Sequence, residues 1–243
     1  NSVPSWLHDP AGAWLGKISP EISRAEYRDA FDQVQDYIRA GDIYQANLTF
    51  RAAARYAGHP LALYAALRSR AAAGYGGVVY TGQDWHLSFS PELFFASQNG
   101  RVMTKPMKGT ASRRHDAVKD AEVAAQLQSD EKQRAENLMI VDLLRNDLGR
   151  VALPGSVVAE PLFSLEAYPS VWTMTSTIQA TIAAKTSLET ILRALFPCGS
   201  ITGAPKIAAM KRIQQTEAQP RGLYCGSLGW LAPNGDFSLN VAI

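Results

Sequence analysis

Cysteine is scarce in this 243-residue chain, where Cys198 and Cys225 are the only two. Two thiols cannot build a disulfide framework, and theirs is not a metal-site spacing, which fits a reducing compartment. Apolar runs of membrane length are absent and nothing reads as a secretory leader, so the expectation is a soluble, cytoplasmic protein with no membrane. Charge of one sign is lacking too. The net charge is +2 and no basic run is interleaved with aromatics, which gives no reason to expect nucleic acid. Neither a Walker spacing nor a Rossmann glycine pattern occurs. There is no internal repeat or low-complexity segment.

What is present is a 47% hydrophobic composition, enough for a substantial core in one large domain or two small ones. Ser23 and Glu26 make a capping-box pattern ahead of Tyr27, Phe31, Val34, Tyr37 and Ile38, and Gly41 closes that predicted helix. Further helices are expected near 60–70, from Ser129 or Asp130 through Leu148, near 188–195 and near 204–217. Strands are expected near 43–51, 77–81, 87–89, 157–166, 173–181, 223–231 and 237–243. Asn99-Gly100 and Asn234-Gly235 predict hairpins and antiparallel pairing, hence an α+β fold class rather than α/β.

Three clusters carry chemistry. Lys108 lies in Thr104-Lys105-Pro106-Met107-Lys108-Gly109-Thr110, an apolar stretch just after the first hairpin. A lysine held against apolar surroundings loses hydration of its charged form, which frees the amine as a nucleophile; the alternative is a surface lysine snorkelling off a strand end. Glu92, at the start of the preceding strand, is expected near Lys108 at one sheet edge, as a proton donor or as an ordinary solvated carboxylate. In the helix that follows, Leu138, Val141, Leu144 and Leu148 recur at helical spacing. Glu136 and Asp147 return to one face of it, either toward a hard cation such as Mg2+ or in ion pairs along the helix. The third cluster, Pro197-Cys198-Gly199-Ser200-Ile201-Thr202-Gly203-Ala204-Pro205-Lys206, runs through glycines into a helix start. Free N–H groups at such a start suit an anion, a carboxylate as well as a phosphate, unless the segment is simply a well-formed turn.

In chain order, Gly41-Asp42-Ile43-Tyr44-Gln45-Ala46-Asn47-Leu48, Ser90-Pro91-Glu92, Pro106-Met107-Lys108-Gly109-Thr110, the run from Arg134 through Asp147, and Gly199 through Lys206 resemble the chorismate-utilising enzymes. The resemblance runs from about Ile22 to the last residue. It implies antiparallel sheets packed in a sandwich with helices outside, residues 22–243 as a chorismate-binding catalytic domain incomplete at its C-terminus, and residues 1–21 as the remnant of an upstream region. Two positions separate branches of the family. Isochorismate and salicylate synthases carry a water-activating lysine where Gln45 stands, and an amide cannot serve as a base. Anthranilate synthases carry alanine where Lys108 stands. The resemblance therefore implies the branch that aminates chorismate to 4-amino-4-deoxychorismate, on the route to 4-aminobenzoate and folate, with ammonia from a separate glutamine amidotransferase subunit. An anthranilate-forming enzyme and a catalytically incomplete chorismate-binding module are the alternatives.

Carried over by position, Lys108 is the covalent nucleophile at C2 and Glu92 the acid that protonates the departing C4 hydroxyl. Gln45, Gly109, Thr110, Thr202, Gly203, Ala204 and Tyr224 bind substrate, and Glu136 is one ligand of Mg2+. Three departures stand out: Thr173 where many relatives have histidine, Gln133 where an acidic residue is usual, and an end at Ile243 before an Arg-Thr pair and a distal glutamate ligand that relatives carry.

Overall fold

Asn99 and Gly100 both adopt positive φ, 51° and 75°, as a two-residue turn matched to strand twist requires. They join Leu93–Gln98 to Arg101–Lys105, the two central strands of a six-stranded antiparallel sheet. Its order is Val158–Ala159, Ile178–Thr181, Arg101–Lys105, Leu93–Gln98, Phe237–Asn240, Gly229–Leu231. The last two strands form the second hairpin, turned through Asn234-Gly235 with Leu231 opposite Phe237. These features belong to a computed structural model that describes residues 4–183 and 185–243.

Among the described residues the α-helices are α1 (Arg24–Arg39), α2 (Pro60–Ala71), α3 (Ala117–Ser129), α4 (Glu131–Gly149), α5 (Leu188–Leu195) and α6 (Lys206–Thr216). The expected capping box starts α1, with Ser23 Oγ accepting from Glu26 N and the Glu26 carboxylate accepting from Ser23 N. Helices α4 and α5 pack Ile140, Val141, Leu144, Leu148, Ile191 and Leu195 into one core with Phe94, Phe95, Val102 and Ile178 of the sheet. The fold is α+β. No helix among the described residues is long and apolar enough to cross a membrane.

A second sheet of three strands, Met107–Ser112, Val171–Thr175 and Ser164–Ala167, shares a corner with the first. The chain crosses between sheets at Pro106, which has no N–H for a ladder, and again at Ser176-Thr177. There Ser176 N donates to Pro106 O at 3.3 Å. The strand expected over 173–181 is thus two strands in two sheets.

Other boundaries moved for equally local reasons. The 157–166 strand splits into Val158–Ala159 and Ser164–Ala167 around Pro161 and Phe163, the latter at φ 57°. Of 43–51, only Gln45–Ala46 pairs, with Gly203–Ala204, because Asn47 N donates to Thr202 O and Thr49 N to the Glu217 carboxylate. The 223–231 strand shrinks to Gly229–Leu231, since Gly222 and Cys225 take φ 66° and 64° in a turn. The 237–243 strand ends at Asn240, whose side chain accepts from Leu228 N and donates to Tyr75 O. Helix α6 begins at Lys206, with Pro205 as its N-cap. Leu138, expected on the apolar stripe of α4, is 42% exposed, and Asn137 and Ile140 take the buried side.

Candidate active site

Glu92 is fixed before its side chain does anything. Ser90 Oγ accepts from Glu92 N and donates to Glu92 O, each at 3.2 Å, Tyr168 Oη donates to Pro91 O, and Val241 N donates to Glu92 O. The residue is 4% exposed, and its Oε1 has no hydrogen-bond partner among the described residues. Burial pushes the carboxyl up to about 7, against the opposing pull of the Ser200 hydroxyl, the Lys108 ammonium and the Met107 N–H.

Lys108 reaches the same spot from the other sheet. Past Pro106, the Met107–Ser112 strand pairs irregularly between Met107 and Thr110, and Gly109 takes φ 89°. Such a bulge re-aims a side chain. Lys108 Nζ donates to Ser200 O at 2.9 Å. Glu92 and Lys108 therefore meet as expected, but across the corner between two sheets rather than at the ends of two paired strands.

Ser200 joins them and was not singled out from the sequence, although it stands inside the Gly-Ser-Ile-Thr-Gly stretch. It is buried, and its Oγ lies 3.2 Å from Cys198 Sγ. Burial first and the Glu92 charge second raise the Cys198 thiol to about 12, which leaves it protonated and inert as a nucleophile.

Thr202, Gly203 and Ala204 continue this turn and are buried. The Thr202 hydroxyl donates to Cys198 O at 3.0 Å and its carbonyl accepts from Asn47 N at 2.9 Å, so much of its capacity shapes the turn. Gly203 and Ala204 pair with Ala46 and Gln45. Gln45 Oε1 is buried with no partner among the described residues. Thr202 and Tyr224 line a shared cavity of about 750 Å³, in which Tyr224 is 46% exposed. Neither Glu92 nor Lys108 lines it; the 199–204 turn connects the two groups.

Helix α4 runs along this site. Gln133 Oε1 lies 3.1 Å from where a Gly109 side chain would begin, and Leu143 packs against Gly199. Glu136 falls between them on the same face, three residues after Gln133 and seven before Leu143. Its carboxylate is 39% exposed, and the nearest cation is Lys132 Nζ at 3.9 Å. Asp147, expected on that face, is buried in an ion pair with Lys206 Nζ at 2.6 Å. Among the described residues no group of three or more His, Cys, Asp or Glu gathers to hold a metal. One free carboxylate fits Mg2+ only in the mode where water and the ligand's own oxygens fill most positions. At the departing positions, Thr173 is buried with its Oγ1 donating to Gly109 O at 3.2 Å, and Gln133 touches Gly109 as above. Thr110 is exposed on the strand beyond.

This geometry belongs to a known class of protein. Residues 4–243 match the family described as chorismate binding enzyme, and the chain belongs to it. Aminodeoxychorismate synthase component 1 of Escherichia coli strain K12 is 42% identical over 222 residues, 91% of this chain and 49% of that protein. Anthranilate synthase component 1 of Thermus thermophilus is 41% identical over 229 residues, 93% of this chain and 49% of its own length. The crystal structure of anthranilate synthase component I from Streptococcus pneumoniae TIGR4 superposes with a TM-score of 0.85 at 33% identity, covering 93% of this chain and 50% of that one. The chain spans about half the length of the curated relatives it matches.

Proposed function

We propose that the protein aminates chorismate to 4-amino-4-deoxychorismate through an intermediate bound to Lys108, using ammonia from a glutamine amidotransferase subunit. One observation carries this reading: a buried carboxyl held near neutrality, Glu92, and the Lys108 amine both converge on Ser200, whose O accepts from Lys108 Nζ at 2.9 Å. Displacing an allylic hydroxyl needs a proton donor and a nucleophile, and these two groups supply both.

In the first step the neutral Lys108 amine bonds to C2, the ring double bonds shift, and the C4–O bond breaks. The hydroxyl leaves as water with the Glu92 proton. In the second step ammonia bonds to C4 and the Lys108 amine leaves C2. The surplus proton on the new amine returns to the Glu92 carboxylate. The net change is hydroxyl for amine with release of one water. The unpartnered Gln45 Oε1 supports a role as an acceptor for the ligand, and Gly109, Thr110, Thr202, Gly203, Ala204 and Tyr224 complete the proposed substrate-binding set. Glu136 would hold Mg2+, which when bound supplies an electrostatic anchor for substrate carboxylates. Two free, buried cysteines suit a reducing cytoplasm.

The relative named anthranilate synthase component 1 supports a second reading, amination at C2 with loss of pyruvate. Mass spectrometry of products from the full-length protein with chorismate, Mg2+ and ammonia separates the two. The 4-amino product retains the enolpyruvyl group, and Lys108→Ala abolishes its formation. Undiminished 4-amino product from Lys108→Ala would remove the covalent step.

A further inference from the structure

The strand pairing that brings the 199–204 turn to Gln45 is only two residues long on each side. A ladder of that length does not hold two segments in register by itself. Arg221 lies beside it. Its Nη1 donates to Ile201 O at 2.7 Å and its Nη2 to Asn47 O at 2.5 Å. The Glu217 carboxylate grips the same guanidinium bidentately, through Nε at 2.9 Å and Nη2 at 2.7 Å. Glu217 Oε1 also accepts from Thr49 N and Thr49 Oγ1. Arg221 and Glu217 side chains are only 15% and 7% exposed, so the pair is a buried, mutually neutralised clamp.

The clamp joins three segments. One is the turn whose next residue back from Ile201 is Ser200, the anchor of Lys108. Another is the segment that carries Gln45. The third is the 221–226 turn that carries Tyr224. We propose that Arg221 is a positioning residue that fixes the spacing of these three segments and so the place of the Lys108 amine relative to bound substrate. The inference rests on the functional reading above for its chemistry, though not for its geometry. Lysine cannot replace it, because an ammonium lacks the planar fork that reaches a carboxylate and two carbonyls on different segments at once.

Arg221 lines two open cavities of about 960 and 750 Å³, so a small cation can diffuse to its place. The test uses the full-length protein with chorismate, Mg2+ and ammonia, comparing wild type, Arg221→Lys, Arg221→Ala with and without added guanidinium chloride at non-denaturing concentration, and Ser187→Ala. Ser187 caps α5 and its hydroxyl bonds none of the three segments, so that variant controls for lost stability.

The expected result is a roughly 100-fold fall in kcat for Arg221→Lys, the scale of a misplacement of about 1 Å, with a smaller change in KM. Guanidinium restores at least tenfold of the kcat lost in Arg221→Ala, and Ser187→Ala keeps wild-type kinetics. Wild-type kcat and KM in Arg221→Lys overturn the proposal. So does a loss in Arg221→Ala that guanidinium leaves untouched. If the wild type forms no 4-amino product, the functional reading falls separately. Chorismate dissociation constants of the same variants then decide the clamp: weaker binding in Arg221→Lys restored by guanidinium in Arg221→Ala supports it, and unchanged binding overturns it.

Discussion

Replacing Glu92 by glutamine tests the central electrostatic claim without any turnover. The carboxyl is raised from the ordinary value of 4.5 to about 7 by burial. Below pH 4.5 it is protonated in both folded and unfolded chains. Between 4.5 and 7 the folded protein keeps the proton that the unfolded chain releases, so stability falls as pH rises. Above 7 both states are ionised, and the folded state carries the whole desolvation cost. At about 1.4 kcal/mol per pH unit, the loss over this window is roughly 3 kcal/mol. Glutamine keeps the shape and does not titrate. Urea denaturation at steps from pH 4 to pH 8.5, on wild type and Glu92→Gln, gives the difference in unfolding free energy at each pH, and every other titrating group cancels from it. The wild type should lose roughly 3 kcal/mol relative to the variant between pH 4 and 8.5, with most of the fall centred between 4.5 and 7. A flat difference would mean that Glu92 titrates like a solvated carboxylate. A difference of opposite sign would mean that attraction to Lys108 outweighs burial. Either refutes a general acid poised near neutrality.

Lys206→Met should cost about 3–5 kcal/mol in the same denaturation assay, because it leaves the buried Asp147 carboxylate without its cation; the double variant with Asp147→Leu should recover much of that loss. Gly203→Ala should lose the pairing with Gln45–Ala46, since a side chain there collides with the Gln45 carbonyl at a φ of 146°; faster hydrogen exchange at the Tyr44 and Asn47 amides, which bond to Ala204 O and Thr202 O, reports it. Glu136→Gln in the full-length protein should raise the Mg2+ concentration needed for half-maximal turnover while leaving the melting temperature within a degree or two, because the carboxylate has only a distant, exposed lysine to lose.

Elements whose cause is local were legible in the sequence. The Ser23 capping box, the Asn99-Gly100 turn and the Pro60 helix start each depend on a few adjacent residues, and each stands where expected. Long strands were overdrawn, because threonine-rich β-branched runs such as 173–181 carry no local mark of where a strand leaves one sheet for another. Pro106 and Pro161 were such marks in hindsight, each removing a donor at the point where a ladder breaks. In the site, Glu92 and Lys108 stood out through residue type and motif. Ser200 and Arg221 did not. Ser200 anchors the lysine through its backbone carbonyl, and a carbonyl has no signature of residue type. Arg221 acts through contacts 20 to 174 residues away in sequence, which no local pattern encodes.

The corner at Pro106 explains how a buried Glu92 and a half-buried Lys108 both reach Ser200. Within one regular antiparallel sheet, successive side chains alternate between faces, so a lysine three residues beyond Lys105 would be fixed by the register of its ladder. Here the ladder partner of Leu93 is Lys105, the last residue before the chain changes sheets. Beyond it the Met107–Ser112 strand follows Val171–Thr175 instead, and the irregularity at Lys108-Gly109 frees that side chain from strict alternation. Lys105 stays in an ion pair with Glu166, itself hydrogen-bonded by Thr175, while Lys108 is handed to Ser200. Two lysines three residues apart thus acquire different fates. One is paired with a carboxylate. The other is held by a neutral carbonyl, near a carboxyl that burial keeps largely protonated below pH 7, and its nitrogen is tied to no fixed anion among the described residues.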